Sequence, residues 1–436
     1  MNYLDIMQDS IDYIEENLKS ELYASELAEK AGFSLFHYYR IFQRAIGIPV
    51  MQYITRRKLS NAIYEISLGE KIIDVALSYG FNTHAGFFKA FKNEYRSSPT
   101  QYIKEHKVIK PYRINLLQEA HIMITDKKLV KILTNWQLEE PIDIKNVYFG
   151  SIGTKAENVW NINEDYIMKV GTNIKGLENS IMVSKALSKV GLEAAIPVLT
   201  KDNKNYFIDG ELYFCLTEKV EGESYKSGDM YKGDYKQKGR YLGEIIGQLH
   251  LVLQDIDEEI VCNDENIYET LKNWAIPETK KCMILQSSFQ DEYLENFKKL
   301  YEHLPKQIIH RDPNLNNIII REGKLSGFID FECTERNIRI FDPCYAATSI
   351  LSEGFGETDS VKLDKWIEIF ENIIIGYDSV CKLSKEEKEA IPYVVYAIQI
   401  IFVAYCSSID KLSELSKVNQ KMLLWLYDKR HVLSVD

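Results

Sequence analysis

A stretch of 23 residues, from His310 to Glu332, constrains this chain more than any other; it reads HRDPNLNNIIIREGKLSGFIDFE. Three of its oxygen-bearing side chains, Asp312, Asn317 and Asp330, have spacings that suit phosphoryl transfer. The first two have the spacing H-R-D-x-x-x-x-N. In phosphoryl transfer, one Asp orients or deprotonates the attacking hydroxyl, while an Asn and a second Asp bind Mg²⁺. The stretch therefore predicts a phosphoryl-transfer site with a hard cation.

The segment between these residues predicts how the metal ligands meet. Ile318–Ile320 is a β-branched run, Glu322-Gly323 is a turn signal, and Leu325–Ile329 runs back as a second strand. A tight hairpin would place Asn317 and Asp330 opposite each other at its open end, at little cost in loop-closure entropy. The alternative is a surface hairpin in which Asn317 is only a turn residue. All three spacings together favour the active site.

This stretch resembles the aminoglycoside phosphotransferase family, which includes choline- and homoserine-kinase relatives. Arg311 stands where that family usually has Gly, and Ile329-Asp330-Phe331-Glu332 stands where protein kinases have Asp-Phe-Gly. Phe341-Asp342-Pro343 continues the resemblance, because the family often has an Asp there that orders the loop behind the site. The resemblance implies a catalytic Asp312, a metal site at Asn317 and Asp330, and ATP or GTP as the donor.

Upstream residues supply candidates for the nucleotide phosphates. The turn Gly150-Ser151-Ile152-Gly153 offers backbone amides from Gly150 and Gly153, although no GKS or GKT follows as in a P-loop. Lys169 stands alone among apolar strand residues and either points outward or reaches a ligand. Kinase folds place the phosphate-pairing Lys on such a strand, with an acidic partner on the next helix. Glu178 is the first acid available for that pairing.

The remaining kinase-like features follow from the resemblance. Leu212–Val220 reads as a strand that matches the family's hinge, so backbone groups at Glu218 and Val220 are expected to bind the nucleotide base. His250 is interpreted as a packing residue, with a catalytic role as the alternative. Glu353, Glu357, Asp359 and Asp364 are interpreted as a solvated face, with attraction of a cationic acceptor as the alternative.

The N-terminal part has a different pattern, in which one motif occurs twice. Ala24–Gly32 predicts a short helix and a sharp turn, and Ser34 is placed to cap the helix that follows. Ile73–Asn82 repeats the first element, and a second helix runs from Thr83 to Tyr95. Two such pairs predict a double helix-turn-helix domain that contacts two major-groove segments. A basic helix between the pairs is expected to point Arg56, Arg57 and Lys58 outward.

Charge supports this interpretation. Residues 31–110 contain 12 Lys and Arg against 5 Asp and Glu, in a chain whose net charge is −11. A basic block in an acidic protein is the electrostatic footprint of a nucleic-acid-binding unit. Alone, however, such a block is also compatible with a merely solvated face.

Residues 5–105 resemble the DNA-binding domain of AraC-type transcription regulators. The residues that carry the resemblance are Leu27, Ala28, Gly32-Phe33-Ser34, Arg40, Phe42, Gly47, Ala76, Gly80-Phe81, Phe88, Phe91 and Pro99. Arg96 departs from the pattern, because the family usually has Gly there. By position, the DNA-facing candidates are Phe36, Tyr39 and Arg40 in the first pair and Thr83, His84 and Lys89 in the second. Core packing is the alternative for Phe36 and Tyr39, and capping or solvation is the alternative for His84.

The predicted organisation is an all-α double helix-turn-helix domain (1–107), a linker (108–128) and an α+β two-lobed protein-kinase-like domain (129–436). The 7 cysteines form no CxxC pair, and Met1 is followed by an acidic amphipathic segment rather than a signal peptide. The longest apolar run, Tyr393–Cys406, is shorter than a bilayer span and is expected to be a buried helix. These features predict a cytoplasmic protein with no membrane partner.

Three functions remain open at this stage. The chain is either a transcription regulator whose kinase-like domain senses or phosphorylates a small molecule, or a small-molecule phosphotransferase that regulates its own expression. In the third, the kinase fold is inactive and serves as a ligand pocket. The presence of Lys169, Asp312, Asn317 and Asp330 speaks against the third. The expected partners are operator DNA, a nucleotide and an unidentified hydroxyl-bearing molecule, and the oligomeric state is left open.

Overall fold

The computed structural model describes residues 3–106, 108–116, 123–149, 154–262, 265–283, 287–355, 360–409, 412–429 and 432–433. The chain divides into two compact units. Unit 1 comprises Met1–Thr172 and Val198–Thr217, and unit 2 comprises Asn173–Pro197 and Glu218–Asp436. The division between these units does not fall at the predicted domain boundaries 107/108 and 128/129. Those boundaries stay a prediction.

The first part of unit 1 is helical, as predicted. Its helices are α1 (Tyr3–Glu16), α2 (Ala24–Lys30), α3 (Leu35–Ile46), α4 (Val50–Ser67), α5 (Ile72–Ser78), α6 (His84–Tyr95) and α7 (Pro99–Glu105). Gly32 and Gly80 follow α2 and α5 with φ of 73° and 80°, a region that glycine adopts at little cost. Ser34 and Thr83 then cap α3 and α6 by accepting backbone N–H bonds. The pairs α2–α3 and α5–α6 are therefore two helix-turn-helix units.

Helix α4 connects the two pairs and corrects one expectation. The prediction that Arg57 faces outward is wrong, because Arg57 is buried and forms a bidentate ion pair with Glu15 on α1. The two bonds measure 2.6 Å from Nε to Oε1 and 2.9 Å from Nη2 to Oε2. Arg57 Nη2 also donates to the carbonyl oxygen of Tyr112 at 2.6 Å. An arginine in this position joins three segments of the helical core instead of contributing to a basic surface.

Residues 108–116, predicted as the start of a linker, pack on the helical core. Ile114 and Leu116 are buried in the same cluster as α1, α3 and α4. The buried side chain of Gln8 donates to the carbonyl oxygen of Ile114 at 3.0 Å and accepts from the amide of Leu116 at 2.7 Å. This segment is therefore part of the helical domain's packing.

The rest of unit 1 is a sheet covered by one helix. Helix α8 (Asp126–Leu133) precedes the strands β1 (Ile144–Phe149), β2 (Thr154–Ile162), β3 (Tyr166–Gly171), β4 (Phe207–Asp209) and β5 (Leu212–Glu218). Among the described residues these strands form a five-stranded sheet in the order β1-β2-β3-β5-β4. Leu129 and Leu133 of α8 pack against Trp160 and Met168 of the sheet, which buries one of its faces.

Unit 2 is mostly helical with two small sheets. Its elements in chain order are α9 (Ile174–Lys189), β6 (Glu223–Ser224), α10 (Ser227–Met230), α11 (Tyr235–Asp255), α12 (Ile267–Thr270), α13 (Ile276–Cys282), α14 (Ser287–Tyr301), β7 (Lys306–Ile309), β8 (Ile318–Arg321), β9 (Lys324–Phe328), β10 (Glu335–Ile338), α15 (Phe341–Gly354), α16 (Ser360–Val380), α17 (Lys385–Ser407) and α18 (Ser413–Asp428). Strand β7 pairs with β10, and β8 lies between β6 and β9.

Helix α17 contains the longest apolar run and lies in the core of unit 2. Over the residues that the structure describes, it is the one helix whose length and hydropathy would suffice to cross a membrane, and 72% of that window is buried inside the protein. Its buried residues join the cluster formed with α13, α15 and α18. The burial agrees with the interpretation of Tyr393–Cys406 as a buried helix.

Candidate functional site

The loop that carries Asp312 is held from behind by one buried carboxylate. Strand β7 leads into the loop at His310, and the carboxylate of Asp342, in the first turn of α15, accepts its backbone bonds. The amide of His310 donates to Oδ2 at 2.8 Å, and the amide of Arg311 donates to Oδ1 at 3.0 Å. Nε2 of His250 lies 2.9 Å from Oδ2. His250 and Asp342 are both fully buried, so His250 is a packing residue, as predicted.

Three side chains surround the carboxylate of Asp312. Oδ1 accepts hydrogen bonds from Nδ2 of Asn314 at 2.8 Å and from the hydroxyl of Tyr345 at 2.7 Å. Nδ2 of Asn317 donates to the backbone oxygen of Asp312 at 2.9 Å and lies 3.3 Å from Oδ2. Sequence reasoning found Asp312 and Asn317 and missed Asn314 and Tyr345. The only available signal for Tyr345 was its position three residues after Asp342.

The hairpin after the loop brings the two predicted metal ligands together. Strands β8 and β9 pair antiparallel through Arg321 and Lys324, and the two residues between them, Glu322 and Gly323, both have positive φ. At the open end the amide of Ile329 donates to the backbone oxygen of Asn317 at 3.0 Å. Asp330 follows directly, so it lies one residue from the partner of Asn317, as predicted.

The donor atoms at this open end suit Mg²⁺. Because Nδ2 of Asn317 faces Asp312, its Oδ1 is the atom that can serve as a ligand, and Asp330 adds an exposed carboxylate. Among the described residues no cluster of three or more His, Cys, Asp or Glu side chains could hold a metal ion. Two protein ligands match an ion whose remaining ligands are phosphate oxygens and water.

The side chain of Arg311 contacts two neighbouring residues beside the site. Its Nε lies 2.8 Å from Oε1 of Glu335, and its guanidinium lies 4.0 Å from the ring centre of Phe341. Burial raises the pKa of Glu335, although the neighbouring Arg311 opposes this shift. The backbone of Arg311 has a φ of 74°, which the two bonds to Asp342 help to hold.

The predicted phosphate ligands lie in different parts of the chain. Lys169 is on β3 between Met168 and Val170, which are buried against α8, so Lys169 projects from the opposite face of the strand. Glu178 is exposed in the second turn of α9, in unit 2. Their pairing stays a prediction. Gly150 and Gly153 lie outside the described residues.

The predicted hinge follows β5. The amide of Glu218 donates to the carbonyl oxygen of Ile196 at 2.8 Å, so this amide is already used. The carbonyl oxygen of Glu218 is therefore the backbone group of this residue that is still expected to bind the nucleotide base. Val220 is buried, and its backbone stays a candidate for binding the nucleotide base.

The acidic residues interpreted as a solvated face are Glu353, Glu357, Asp359 and Asp364. Asp364 is exposed on α16, which agrees with that interpretation at this position. Glu357 and Asp359 lie outside the described residues. The attraction of a cationic acceptor by this group stays a prediction.

The first predicted DNA-binding helix, α3, has two distinct faces. Tyr38, Phe42 and Ile46 are fully buried in the helical core. Phe36 is 73% exposed, Arg40 is exposed, and the Arg40 guanidinium lies 5.9 Å from the Phe36 ring centre. Tyr39 is half-buried against the core, as its alternative interpretation allowed. The face available to DNA thus carries Phe36 and Arg40.

The second predicted DNA-binding helix, α6, is similar. Phe87 and Phe91 are fully buried, whereas Thr83, His84 and Lys89 are exposed. The side chain of Thr83 accepts from the amide of Gly86 at 3.0 Å, which makes it the N-cap. The ring of His84 lies 4.2 Å from that of Phe88.

Comparison with known proteins assigns the N-terminal region. Residues 27–105 match the family described as a helix-turn-helix domain. The chain is 32% identical over 98 residues to the Transposon Tn10 TetD protein of Escherichia coli, covering 22% of this chain and 71% of that protein. It is 33% identical over 98 residues to the HTH-type transcriptional activator AarP of Providencia stuartii. That match covers 22% of this chain and 73% of AarP. An uncharacterized HTH-type regulator of Bacillus subtilis, YbfP, is 35% identical over 103 residues, and the match spans 35% of its length.

The C-terminal region matches a second family. Residues 155–371 match the phosphotransferase enzyme family. Among solved structures, a microcompartment-associated aminopropanol kinase superposes with a TM-score of 0.54 at 15% identity, covering 71% of this chain and 99% of that one. The amicoumacin kinase hAmiN, solved with AMP-PNP, Ca²⁺ and Ami, superposes with a TM-score of 0.52 at 14% identity. That superposition covers 72% of this chain and 96% of hAmiN. At these identities the likeness shows the fold, which is the predicted kinase-like one.

Proposed function

Since the chain belongs to the AraC-type helix-turn-helix regulators through its N-terminal domain and carries a C-terminal domain of the phosphotransferase enzyme family, we propose that it is a DNA-binding regulator that also transfers a phosphoryl group. The acceptor is a hydroxyl on a small molecule, and the donor is ATP or GTP. The observation that carries this proposal is the arrangement of Asp312, Asn317 and Asp330 around one loop and one hairpin.

In this proposal Asp312 orients the acceptor hydroxyl and takes its proton as the new bond to phosphorus forms. Asn317 and Asp330 would hold Mg²⁺, which neutralises charge on the donor phosphates when bound. Lys169 is proposed to pair with the donor phosphates, and Glu178 stays the acidic partner predicted for it from the sequence. The carbonyl of Glu218 and the backbone of Val220 bind the base. Catalysis consists mainly of positioning and charge neutralisation.

The DNA-binding role rests on the exposed faces of α3 and α6. Arg40 and Phe36 on α3, and Lys89 and His84 on α6, face the major groove, with Thr83 at the start of α6 and Tyr39 at the edge of the α3 face. Arginine is the commonest reader of guanine, and lysine more often contacts phosphate. Two helix-turn-helix units in one chain allow two groove contacts without dimerisation.

The cellular setting is also a proposal. All seven cysteines are free thiols. Thiols without disulfides suit a reducing compartment, so we place the protein in the cytoplasm, where it reaches both operator DNA and nucleotide.

Calorimetric titration of MgATP, then MgGTP, into the wild-type protein and Asp330→Ala tests the nucleotide site. We expect binding to the wild type and a loss of at least tenfold in the variant, since a ligand of the metal is removed. Exposed Asp364→Ala is the control and should bind as the wild type does. If the wild type binds neither nucleotide, the proposal of phosphoryl transfer is wrong.

A second experiment separates a regulator that senses a molecule from an enzyme that merely controls its own gene. Operator footprints are compared without ligand, with nucleotide, and with nucleotide plus acceptor. The acceptor screen begins with amino alcohols, because an aminopropanol kinase shares the fold. A footprint that changes with ligand favours the regulator. Rapid turnover with an unchanged footprint favours the enzyme.

A further inference from the structure

The N-terminal part of α15 presents two polar side chains to the catalytic loop. Asp342 and Tyr345 are three residues apart, so they lie on the same face of the helix. Asp342 holds the backbone of His310 and Arg311, whereas Tyr345 contacts the side chain of Asp312. One helical turn therefore controls both the path of the loop and the direction of its carboxylate.

We propose that Tyr345 is a positioning residue for the phosphoryl transfer proposed above: its hydroxyl occupies Oδ1 of Asp312 and leaves Oδ2 to receive the proton of the acceptor. The inference rests on the proposed function and assigns different tasks to the two oxygens of one carboxylate. In the reaction, the acceptor oxygen bonds to phosphorus, its proton passes to Oδ2, and the bond from phosphorus to the nucleoside diphosphate breaks.

The hydroxyl of Tyr345 is a donor with a fixed direction. Burial, and then the neighbouring charge of Asp312, raise the pKa of Tyr345 well above its ordinary value, so the phenol stays protonated. Its ring stacks on Phe341 with centroids 5.8 Å apart and an interplanar angle of 21°. On another side it meets Phe402 at 5.6 Å. A ring held in this way cannot turn its hydroxyl away from Asp312 without disturbing both neighbours.

The two oxygens of Asp312 are unequally engaged. Oδ1 accepts two bonds of ordinary length, from Tyr345 at 2.7 Å and from Asn314 at 2.8 Å. Two donors use the lone-pair positions of one carboxylate oxygen. Within the part of the chain that the structure describes, Oδ2 has one contact, the longer one of 3.3 Å from Asn317, which is also the proposed metal ligand. Oδ2 therefore keeps the capacity to accept the acceptor's proton and lies on the side of the metal site.

The test uses Tyr345→Phe in the full chain, because this change keeps the ring and removes only the hydroxyl. Formation of nucleoside diphosphate from MgATP and MgGTP is measured with water as the acceptor, and with any amino alcohol found to stimulate it. We expect kcat to fall about 10- to 100-fold, the scale of one hydrogen bond to a charged group, while the nucleotide KM stays within twofold. The calorimetric affinity for nucleotide should also be unchanged, which shows that the variant is folded.

Tyr396→Phe is the matched control. The Tyr396 hydroxyl donates to the carbonyl oxygen of Leu426 at 2.7 Å, so the control loses a bond of the same length in the same unit. Its kcat and KM should equal those of the wild type. A Tyr345→Phe variant with wild-type kcat, or one in which kcat and nucleotide affinity fall together, overturns the positioning role. A wild-type protein that binds nucleotide but forms no nucleoside diphosphate with water or any amino alcohol tested overturns the proposed transfer itself, and the inference with it.

Discussion

Asp342 is the residue on which most of the buried polar contacts behind the site converge. Its carboxylate contacts two backbone amides of the loop and His250, and Nδ1 of His250 lies 2.7 Å from the hydroxyl of Tyr377. Burial raises the pKa of Tyr377 well above its ordinary value, so its phenol keeps its proton beside Nδ1 of His250. The three side chains form one continuous set of buried polar contacts behind the loop.

Replacing Asp342 with Ala should destabilise unit 2 strongly. The change leaves two loop amides and the buried His250 without their acceptor, so we expect a loss of about 3–5 kcal/mol in the free energy of unfolding. Chemical denaturation followed by circular dichroism measures it. Asp364→Ala, at an exposed position on α16, is the control and should change stability by less than about 0.5 kcal/mol. Equal effects of the two variants would show that the Asp342 contacts contribute little.

Asp312→Asn should separate chemistry from binding. The amide keeps the size of the side chain but cannot take a proton, so we expect the formation of nucleoside diphosphate to fall about 10²- to 10⁴-fold. Nucleotide affinity, measured by calorimetry, should stay within twofold because Asp312 is not a proposed nucleotide ligand. If affinity and rate fall in parallel, the role assigned to Asp312 is wrong.

At the scale of elements, close approaches of backbone explain several glycines. Gly47 ends α3 with a φ of 90°, and a Cβ at this position would lie 2.1 Å from the backbone oxygen of Met123. The amide of Met123 donates to the carbonyl oxygen of Ile46 at 2.9 Å. The same helix end therefore accepts the segment that leads to α8. At the end of α6, Arg96 adopts the left-handed conformation with a φ of 59°, so the departure from Gly there leaves the turn intact.

Gly47→Ala should cost more stability than Gly32→Ala. Gly32 also has a positive φ, of 73°, but no heavy atom lies within 4 Å of the place that a Cβ would occupy. We expect about 1–2 kcal/mol for Gly32→Ala from the backbone conformation alone. For Gly47→Ala we expect a further loss of about 1–3 kcal/mol from the displaced Met123 backbone. Thermal unfolding of both variants measures the difference, and equal midpoints would contradict this packing.

Two helices of unit 2, α11 and α16, also meet through glycine. Helix α11 packs on α16, and a Cβ on Gly243 would lie 1.9 Å from the carbonyl oxygen of Ile373. From the opposite helix, a Cβ on Gly376 would lie 1.9 Å from the carbonyl oxygen of Arg240. The two backbones approach so closely that neither position has room for a side chain.

Gly243→Ala should therefore destabilise unit 2 although alanine favours helices. We expect a loss of about 1–3 kcal/mol from overpacking, which exceeds the gain of up to about 1 kcal/mol in helix propensity. Gly228→Ala on α10 is the control, because open space surrounds that position. Denaturant midpoints compare the two variants. A stabilised Gly243→Ala would show that α11 and α16 can move apart at no cost.

At the scale of the whole molecule, the chain passes within unit 1 directly from the core of the helical domain into the core that contains the sheet. Met123 is buried in the helical core, whereas Ile124, the next residue, is buried in the core formed by α8 and the sheet. Nη2 of Arg56 lies 3.4 Å from the backbone oxygen of Ile124. Consecutive residues anchored in two cores leave the chain little freedom at this point.

The two proposed activities should nevertheless be separable by mutation. Arg40→Ala is expected to weaken operator binding by about 1–3 kcal/mol without changing nucleotide affinity. Asp330→Ala is expected to weaken nucleotide binding. In the absence of ligand, it should leave the affinity for the operator unchanged. Gel-shift and calorimetric measurements on each variant test this, with exposed Arg240→Ala on α11 as the control. An unchanged gel-shift affinity for Arg40→Ala would remove Arg40 from the DNA-binding surface.

What the sequence determined by itself was the local part of this protein. The hairpin with Asn317 and Asp330, the two helix-turn-helix pairs and the cap at Ser34 depend on neighbours within about twenty residues. Motif spacing and turn chemistry report such neighbours directly, which is why these elements and the family resemblances could be predicted.

Only the tertiary structure decided which distant side chains meet. Tyr345 reaches Asp312 across 33 positions of sequence, and Arg57 reaches Glu15 across 42. Neither contact leaves a periodic signal, so the tyrosine was missed and the arginine was assigned to the surface. The packing of Ile114 on the helical core was hidden for the same reason. Long-range contacts arise when elements pack, and their energies depend on burial that no local window of sequence contains.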